Sequence, residues 1–214
     1  MSRDVAALHI ADEPFLVATT IERCPKTMMI RELFMNAVEA ATQAPSGSQA
    51  IEIRALDIGD TQKLSIWNTG PGMSSDELHR ICDISASIGK NKGLDENFGM
   101  GAKVASLPSN RYGLRYRSNA KGVVSEVILG ERGGIYGRLR RPNDEGHLEE
   151  VFDVTDVVLA DGADLSFDWT EVVLFGNSAN QNTVRDPYDG NPITPGQWLA
   201  DYLYYRFYRL PPGL

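Results

Sequence analysis

The sequence predicts an α+β domain in two layers, a mixed, mainly antiparallel sheet covered by helices. Three observations lead there: helical periodicity is concentrated early, period-2 alternation dominates the later half, and glycines or charged turns separate the late strands. A chain of 214 residues with 42% hydrophobic composition can fill one good core, whereas two full domains would be cramped.

Taken in order, Pro25 through Gln43 reads as the first strong helix. Met29, Ile30, Leu33, Val38 and Ala41 recur at helical spacing, and Pro45-Ser46-Gly47-Ser48 closes it with turn chemistry. Alternation from Ala50 to Leu56 gives a strand, and Lys63 to Trp67 gives its hairpin partner across Gly59-Asp60. The loop Asn68 to Met73 follows. Ser74-Ser75-Asp76-Glu77 then has the form of a capping box, which starts a helix heading into Leu78, Ile81 and Ile84. A polar stretch from Ser85 to Asn97 leads to a short helix, Ala102 to Leu107. Strands are expected at Tyr112–Arg117, Val123–Leu129, Ile135–Leu139 and Glu171–Phe175. Residues 176–197, rich in Asn, Asp, Gly and Pro, read as a long loop, and Trp198 to Tyr208 as a terminal helix that docks on something.

The formal net charge of -8 argues against a protein that holds nucleic acid over its whole surface, because phosphate neutralisation needs a basic face. Two local basic groups remain: Arg111, Arg115, Arg117 and Lys121, and Arg132, Arg138, Arg140 and Arg141. Charged positions on hairpins are usually solvated edges. Cys24 and Cys82 have no Cys or His at ligand spacing, so they read as buried thiols and not as a disulfide or zinc site. No apolar run has the length of a membrane span and the N-terminus lacks the plan of a signal peptide, so a soluble, cytoplasmic protein with no membrane partner is expected.

The candidate chemistry begins on the first helix. Glu32, Asn36 and Glu39 fall within roughly 60° of one another at the helical period. For such a helix alone, a solvated stripe is the simpler reading. Two glycine loops change the balance. Asn68-Thr69-Gly70-Pro71-Gly72-Met73 follows a strand and opens a helix, where glycine lets backbone approach a ligand closely. Asn97-Phe98-Gly99-Met100-Gly101-Ala102-Lys103 is a second glycine loop entering a helix, whose first amides suit a phosphate. Neither has the spacing of a Walker loop or sits in a βαβ repeat.

Together these segments resemble the GHKL superfamily of gyrase, heat-shock chaperones, histidine kinases and MutL, in order and spacing from residue 29 to residue 175. Arg31 through Ala40 looks like the family's ExxxNAxDA box, with Glu39 for the usual Asp. Residues 68–72 look like its DxGxG box, with Asn68 for the Asp. Residues 97–103 look like the glycine box ending the ATP lid, and Trp169-Thr170-Glu171-Val172 like the late GTxV strand, with Trp169 for the Gly. The resemblance implies a Bergerat-type ATP-binding fold over residues 1–175, with 176–214 leading to a further domain.

It also implies roles. Glu32 matches the general base that takes a proton from the water attacking the γ-phosphate. Asn36 matches the side-chain oxygen that completes the Mg²⁺ shell, and Glu39 lies at the pocket floor near the base or ribose. Asn68 stands where the family reads adenine; its Oδ1 can accept the amino proton, and its amide turned the other way would suit a guanine carbonyl. Gly70 and Gly72 shape the first loop. Met73 contacts the purine, while Phe98 is core or ligand wall. Gly99, Met100 and Gly101 offer amides to the phosphates where Ala102 opens the helix, Lys103 adds a charge, and Thr170 shares a buried water with Asn68 and the base. Lys90 and Lys92 read more simply as solvated loop than as phosphate ligands.

The expected activity is slow hydrolysis of Mg-ATP coupled to lid closure and homodimerisation, with a MORC-like or chaperone-like subtype and a DNA or protein client reached through the C-terminal region. The alternatives are a nucleotide-gated interaction module with little hydrolysis, or a histidine-kinase-like catalytic domain. The kinases favour a basic residue near the end of the first box, where this chain has Glu39.

Overall fold

The computed structural model describes residues 9–84, 101–189, 198–207 and 209–214. Helix α1, Glu13–Glu22, opens the described chain. Asp12 caps it by accepting from the Phe15 amide at 3.0 Å, and Pro14 sits in its first turn. The sequence reading missed this helix because its apolar residues gather on no single face: Phe15 and Leu16 are exposed and Ile21 alone is fully buried. The Asp12-Glu13-Pro14 start signal was present. The helix is tied down at its end, where Glu22 accepts from Arg111 at 2.7 Å and from the Tyr136 hydroxyl.

A short 3₁₀ turn, Lys26–Met28, leads into α2, Met29–Ala41, which lays Met29, Ile30, Leu33, Ala37 and Ala41 into the core. Strands β1, Ile51–Ile58, and β2, Thr61–Thr69, form the expected hairpin, closing Ile58 on Thr61. β2 runs two residues further than the alternation suggested. Asn68, expected in a loop, is a strand residue paired with Ile51 on one side and Thr170 on the other. Helix α3, Ser75–Ile81, starts at Ser74 with both bonds of the capping box in place. Helix α4, Gly101–Ser106, continues through a 3₁₀ turn, Leu107–Ser109.

The later half is β3, Gly113–Ala120; β4, Val123–Arg132; β5, Ile135–Arg138; β6, Arg141–Pro142; β7, Leu148–Glu149; and β8, Val151–Asp153. Helix α5, Thr155–Ala160, strand β9, Trp169–Gly176, and helix α6, Trp198–Arg206, follow. The main sheet runs β1-β2-β9-β3-β4-β5, with β8 also on β4, while β6 and β7 pair separately. Every pairing among the described strands is antiparallel. β9 arrives last yet inserts between β2 and β3. That one crossover brings residue 170 beside residues 68 and 118.

Strand alternation then divides the molecule. Leu64 and Ile66 of β2, Val172 and Leu174 of β9, and Leu114 of β3 join α2, α3 and α4 in the main core. Trp67, Trp169 and Val124 point to the other face and, with Val158 of α5, make a smaller cluster. Residues 177–189 are bound to the sheet without regular structure of their own. The buried Lys63 ammonium donates to the carbonyls of Phe175, Ala179 and Gln181 at 2.9, 2.8 and 2.6 Å. Thr183 accepts from the Leu64 amide at 2.8 Å. The terminal helix docks with Trp198, Leu199, Tyr202 and Leu203 against the main core and the Phe207 ring 4.7 Å from Phe34. Among the described residues no helix is long and apolar enough to cross a membrane.

Candidate functional site

The polar stripe of α2 is not a uniform solvated face. Asn36 and Glu39 are exposed, but Glu32 is only 5% exposed. A carboxylate that deep needs a partner, and the Arg31 guanidinium donates to Glu32 Oε1. Its other oxygen faces Gly101: a Cβ built there would run into Glu32 Oε2. Glycine at the start of α4 is therefore what lets that backbone and the α2 carboxylate come together.

A second polar group lies on the same face of the sheet, at the ends of β2, β9 and β3. Asn68 is buried, and its Nδ2 donates to the Thr69 carbonyl at 2.9 Å. Oδ1 is left as the acceptor. Thr170 stands directly across from Asn68 on β9, and Ser118 across from Thr170 on β3. Ser118 Oγ lies 2.9 Å from Thr170 Oγ1 and accepts from the Met73 amide at 2.8 Å. Sequence reasoning did not find Ser118. The available signal was parity: it shares the inward face of β3 with Leu114 and Tyr116, where an apolar residue would be the simpler choice.

The first glycine loop is wedged between α2 and β3. Gly70, at φ +137°, lies against the Ala40 carbonyl, and Gly72 against the Asn119 carbonyl; a Cβ at either position would strike backbone. The loop thus registers the C-terminal end of α2 against the Asn68 end of the sheet. Met73 is half-buried and packs against the main core. Trp169, the bulky replacement in the late strand motif, does not crowd Thr170. Its ring lies in the cluster with Trp67 on the opposite face, and its Nε1 donates to the Asp164 carbonyl at 3.1 Å.

Lys103, which the resemblance gives as an added charge near the phosphates, is buried here, and its ammonium donates to the carbonyls of Ile81 and Asp83, fastening the end of α3 to α4. Burial pushes its pKa down to about 8. Ala102 is buried core beside it. Phe98, Gly99 and Met100, and Lys90 and Lys92, lie outside the described residues. Of the cysteines, Cys82 is buried, its thiol pushed up to about 12 by desolvation, while Cys24 is only half-buried.

The two basic groups in the sequence are not basic patches. Arg117 and Arg141 both bind Glu126 at 2.7 Å, Arg115 reaches Glu171 at 3.3 Å, and Arg111 holds Glu22. Arg138 and Arg140 meet on Glu150, at 2.6 and 2.9 Å, and His79 Nε2 lies 3.0 Å from it. These hydrogen bonds, Arg138 first, hold the Glu150 carboxyl down at about 2.

Residues 27–130 match the family described as Histidine kinase-, DNA gyrase B-, and HSP90-like ATPase. That segment contains α2, the β1–β2 hairpin, both glycine loops, strand β3 and most of β4, and it matches an ATPase domain of the GHKL type. ATP binding is the property the family implies. β9 falls outside the matched segment, so the neighbourhood of Thr170 and Asn68 comes from the sheet topology. A comparison with curated proteins finds no match.

Proposed function

We propose that the chain binds Mg-ATP across the inner face, with the base at Asn68 and the phosphates towards α2 and Gly101, and hydrolyses it slowly. The observation that carries this reading is the Glu32 carboxylate, buried on α2 and set against Gly101, on the same side of the sheet as the Asn68, Thr170 and Ser118 cluster. A buried carboxylate beside a loop suited to phosphate can take the proton of an attacking water, which is the role of Glu32. At the other end, Asn68 presents Oδ1 as an acceptor because Nδ2 is held by the Thr69 carbonyl. That polarity suits the amino group of adenine and opposes a guanine carbonyl. Thr170 and Ser118 hold the hydroxyls that would share a water with the base.

The donor set fits magnesium bound mainly through nucleotide. Among the described residues no three His, Cys, Asp or Glu side chains converge into a metal cage. Asn36 would supply one hard oxygen from its exposed position on α2. Bound there with the nucleotide, magnesium would offset phosphate charge. Glu39, one turn further along α2, is the side chain nearest in sequence to the Ala40–Gly70 contact and would border the ribose or base. On the family's resemblance, nucleotide binding drives lid closure and homodimerisation, with residues 176–214 leading to the client-binding part.

Calorimetric titration of the chain with ATP, GTP and a non-hydrolysable ATP analogue, with and without Mg²⁺, tests this alongside a phosphate-release assay. Mg²⁺-dependent binding of ATP in preference to GTP, with slow release, is expected. Equal binding of GTP would overturn the role of Asn68, and tight binding without release would leave a nucleotide-gated interaction module.

A further inference from the structure

The outer face of the sheet, opposite α2, carries a cleft of about 610 Å³ between the strands and the segment that follows α5. Strand register builds its floor. Glu52, Trp67, Glu171 and Arg117 lie side by side across β1, β2, β9 and β3, and Arg54 and Arg115 flank them in the next row.

The charges of this cleft are unevenly satisfied. Each floor guanidinium already holds a carboxylate: Arg54 on Glu52 at 2.8 Å, Arg115 on Glu171 at 3.3 Å, Arg117 on Glu126 at 2.7 Å. The rim carboxylates Asp57, Asp161 and Asp164 have no cationic side chain within ion-pair distance among the described residues. What remains at the rim is negative, on a chain of net charge -8. An anionic ligand such as nucleic acid is therefore disfavoured.

Two further features select the kind of cation. The Arg54 guanidinium lies 4.6 Å from the Trp67 ring centroid with Glu52 as its counter-ion, so one arginine already sits on an aromatic ring beside a carboxylate. Phe167 stands edge-on to Trp67 and is 37% exposed at the edge of the same cleft as Asp161 and Asp164. In the floor, Arg115 is 9% exposed and lies between two carboxylates, its Nη2 3.3 Å from Glu171 and its buried Nε 3.9 Å from Glu126. The space suits an extended segment of a few residues and is too small for a folded element.

We propose that this outer cleft docks an extended, arginine-bearing peptide segment of a partner protein. A partner guanidinium lies over Phe167 between Asp161 and Asp164. The inference is independent of the nucleotide reading, since the cleft is on the opposite face of the sheet.

Fluorescence anisotropy of the full chain with a labelled Gly-Arg-Gly-Arg-Gly peptide tests it, with the glutamate counterpart and labelled oligothymidylate as competing probes. The arginine peptide is expected to bind. The double change Asp161→Asn and Asp164→Asn keeps the acceptor that holds the Ser166 amide, and is expected to weaken binding roughly tenfold. Phe167→Ala is expected to weaken it roughly threefold. Asp144→Asn with Glu145→Gln, which removes two exposed charges elsewhere, is expected to change it less than about twofold. Equal loss in that control pair would show that overall charge holds the peptide and would overturn the site. So would failure of the arginine peptide to bind, or preference for the glutamate peptide or oligothymidylate.

Discussion

The two faces of the sheet handle polar groups in opposite ways. On the inner face, an apolar core surrounds a few neutral side chains, Asn68, Thr170 and Ser118, with a single buried carboxylate on the helix above. On the outer face, full charges are paired laterally along the strands, with Glu126, 2% exposed, shared by Arg117 and Arg141. Ionic partners built into the face hold it together. Neutral hydrogen-bonding groups with an acceptor left over, as at Asn68 Oδ1, leave a face ready for something else. In this fold the functional signal is an unfilled hydrogen-bonding position among apolar neighbours, and not the density of charge.

The comparison breaks most sharply at its two carboxylates. Glu32→Ala is expected to lower phosphate release by about 10²–10⁴-fold, the usual contribution of a general base, while calorimetry finds ATP affinity almost unchanged. Loss of both together would make Glu32 a structural group like those outside. Glu126→Ala should do the reverse. It leaves Arg117 and Arg141 without their buried partner and is expected to cost ~3–5 kcal/mol in urea unfolding, with little effect on nucleotide affinity once folded.

Ser118→Ala sharpens the inner side. The Met73 amide loses its 2.8 Å acceptor, and a loss of about 1–3 kcal/mol is expected, with weaker ATP binding as the first glycine loop loosens. Unchanged affinity would remove Ser118 from the site.

The smallest effect is in acid. Burial would raise the Glu126 carboxyl, but Arg117, Arg115 and Arg141 outweigh it and hold it below the ordinary value near 4.5; Glu150 is held at about 2 by Arg138, Arg140 and His79. Both are depressed in the fold, so their contribution is complete above about pH 4.5 and is lost as pH falls through the folded values, towards about 2. Urea midpoints are expected to fall over that window, and Glu150→Gln to flatten part of the slope. A midpoint independent of pH there would contradict the pairing.

Local features of this fold were legible in the sequence. The capping box at Ser74, the turn at Gly59-Asp60 and the periodicity of α2 depend on residues a few positions apart, and each appears where its chemistry indicates. The candidate site was legible as motifs and not as a neighbourhood. Asn68 and Thr170 are about a hundred positions apart in the chain and meet only because β9 inserts between β2 and β3. Ser118 stayed hidden because its meaning depends on which face of β3 is inward. The arginine groups read as solvated hairpin edges, and their partners stayed hidden for a related reason: proximity in sequence puts Arg117 beside Arg115, but strand register puts it opposite Glu126. The partners of Lys103 were likewise out of reach of the motif, since its ammonium is held by carbonyls at the end of α3, about twenty positions earlier in the chain.

The most direct test of the contrast is residue-resolved amide hydrogen exchange, with and without Mg-ATP, on the full chain. Protection is expected around Asn68–Met73, at Ser118 and Thr170 and in the first turns of α2 and α4, with the outer rows at Glu52–Arg54 and residues 161–167 unchanged. Protection confined to the outer cleft, or none on either face at saturating nucleotide, would contradict the assignment of the inner face as the nucleotide site.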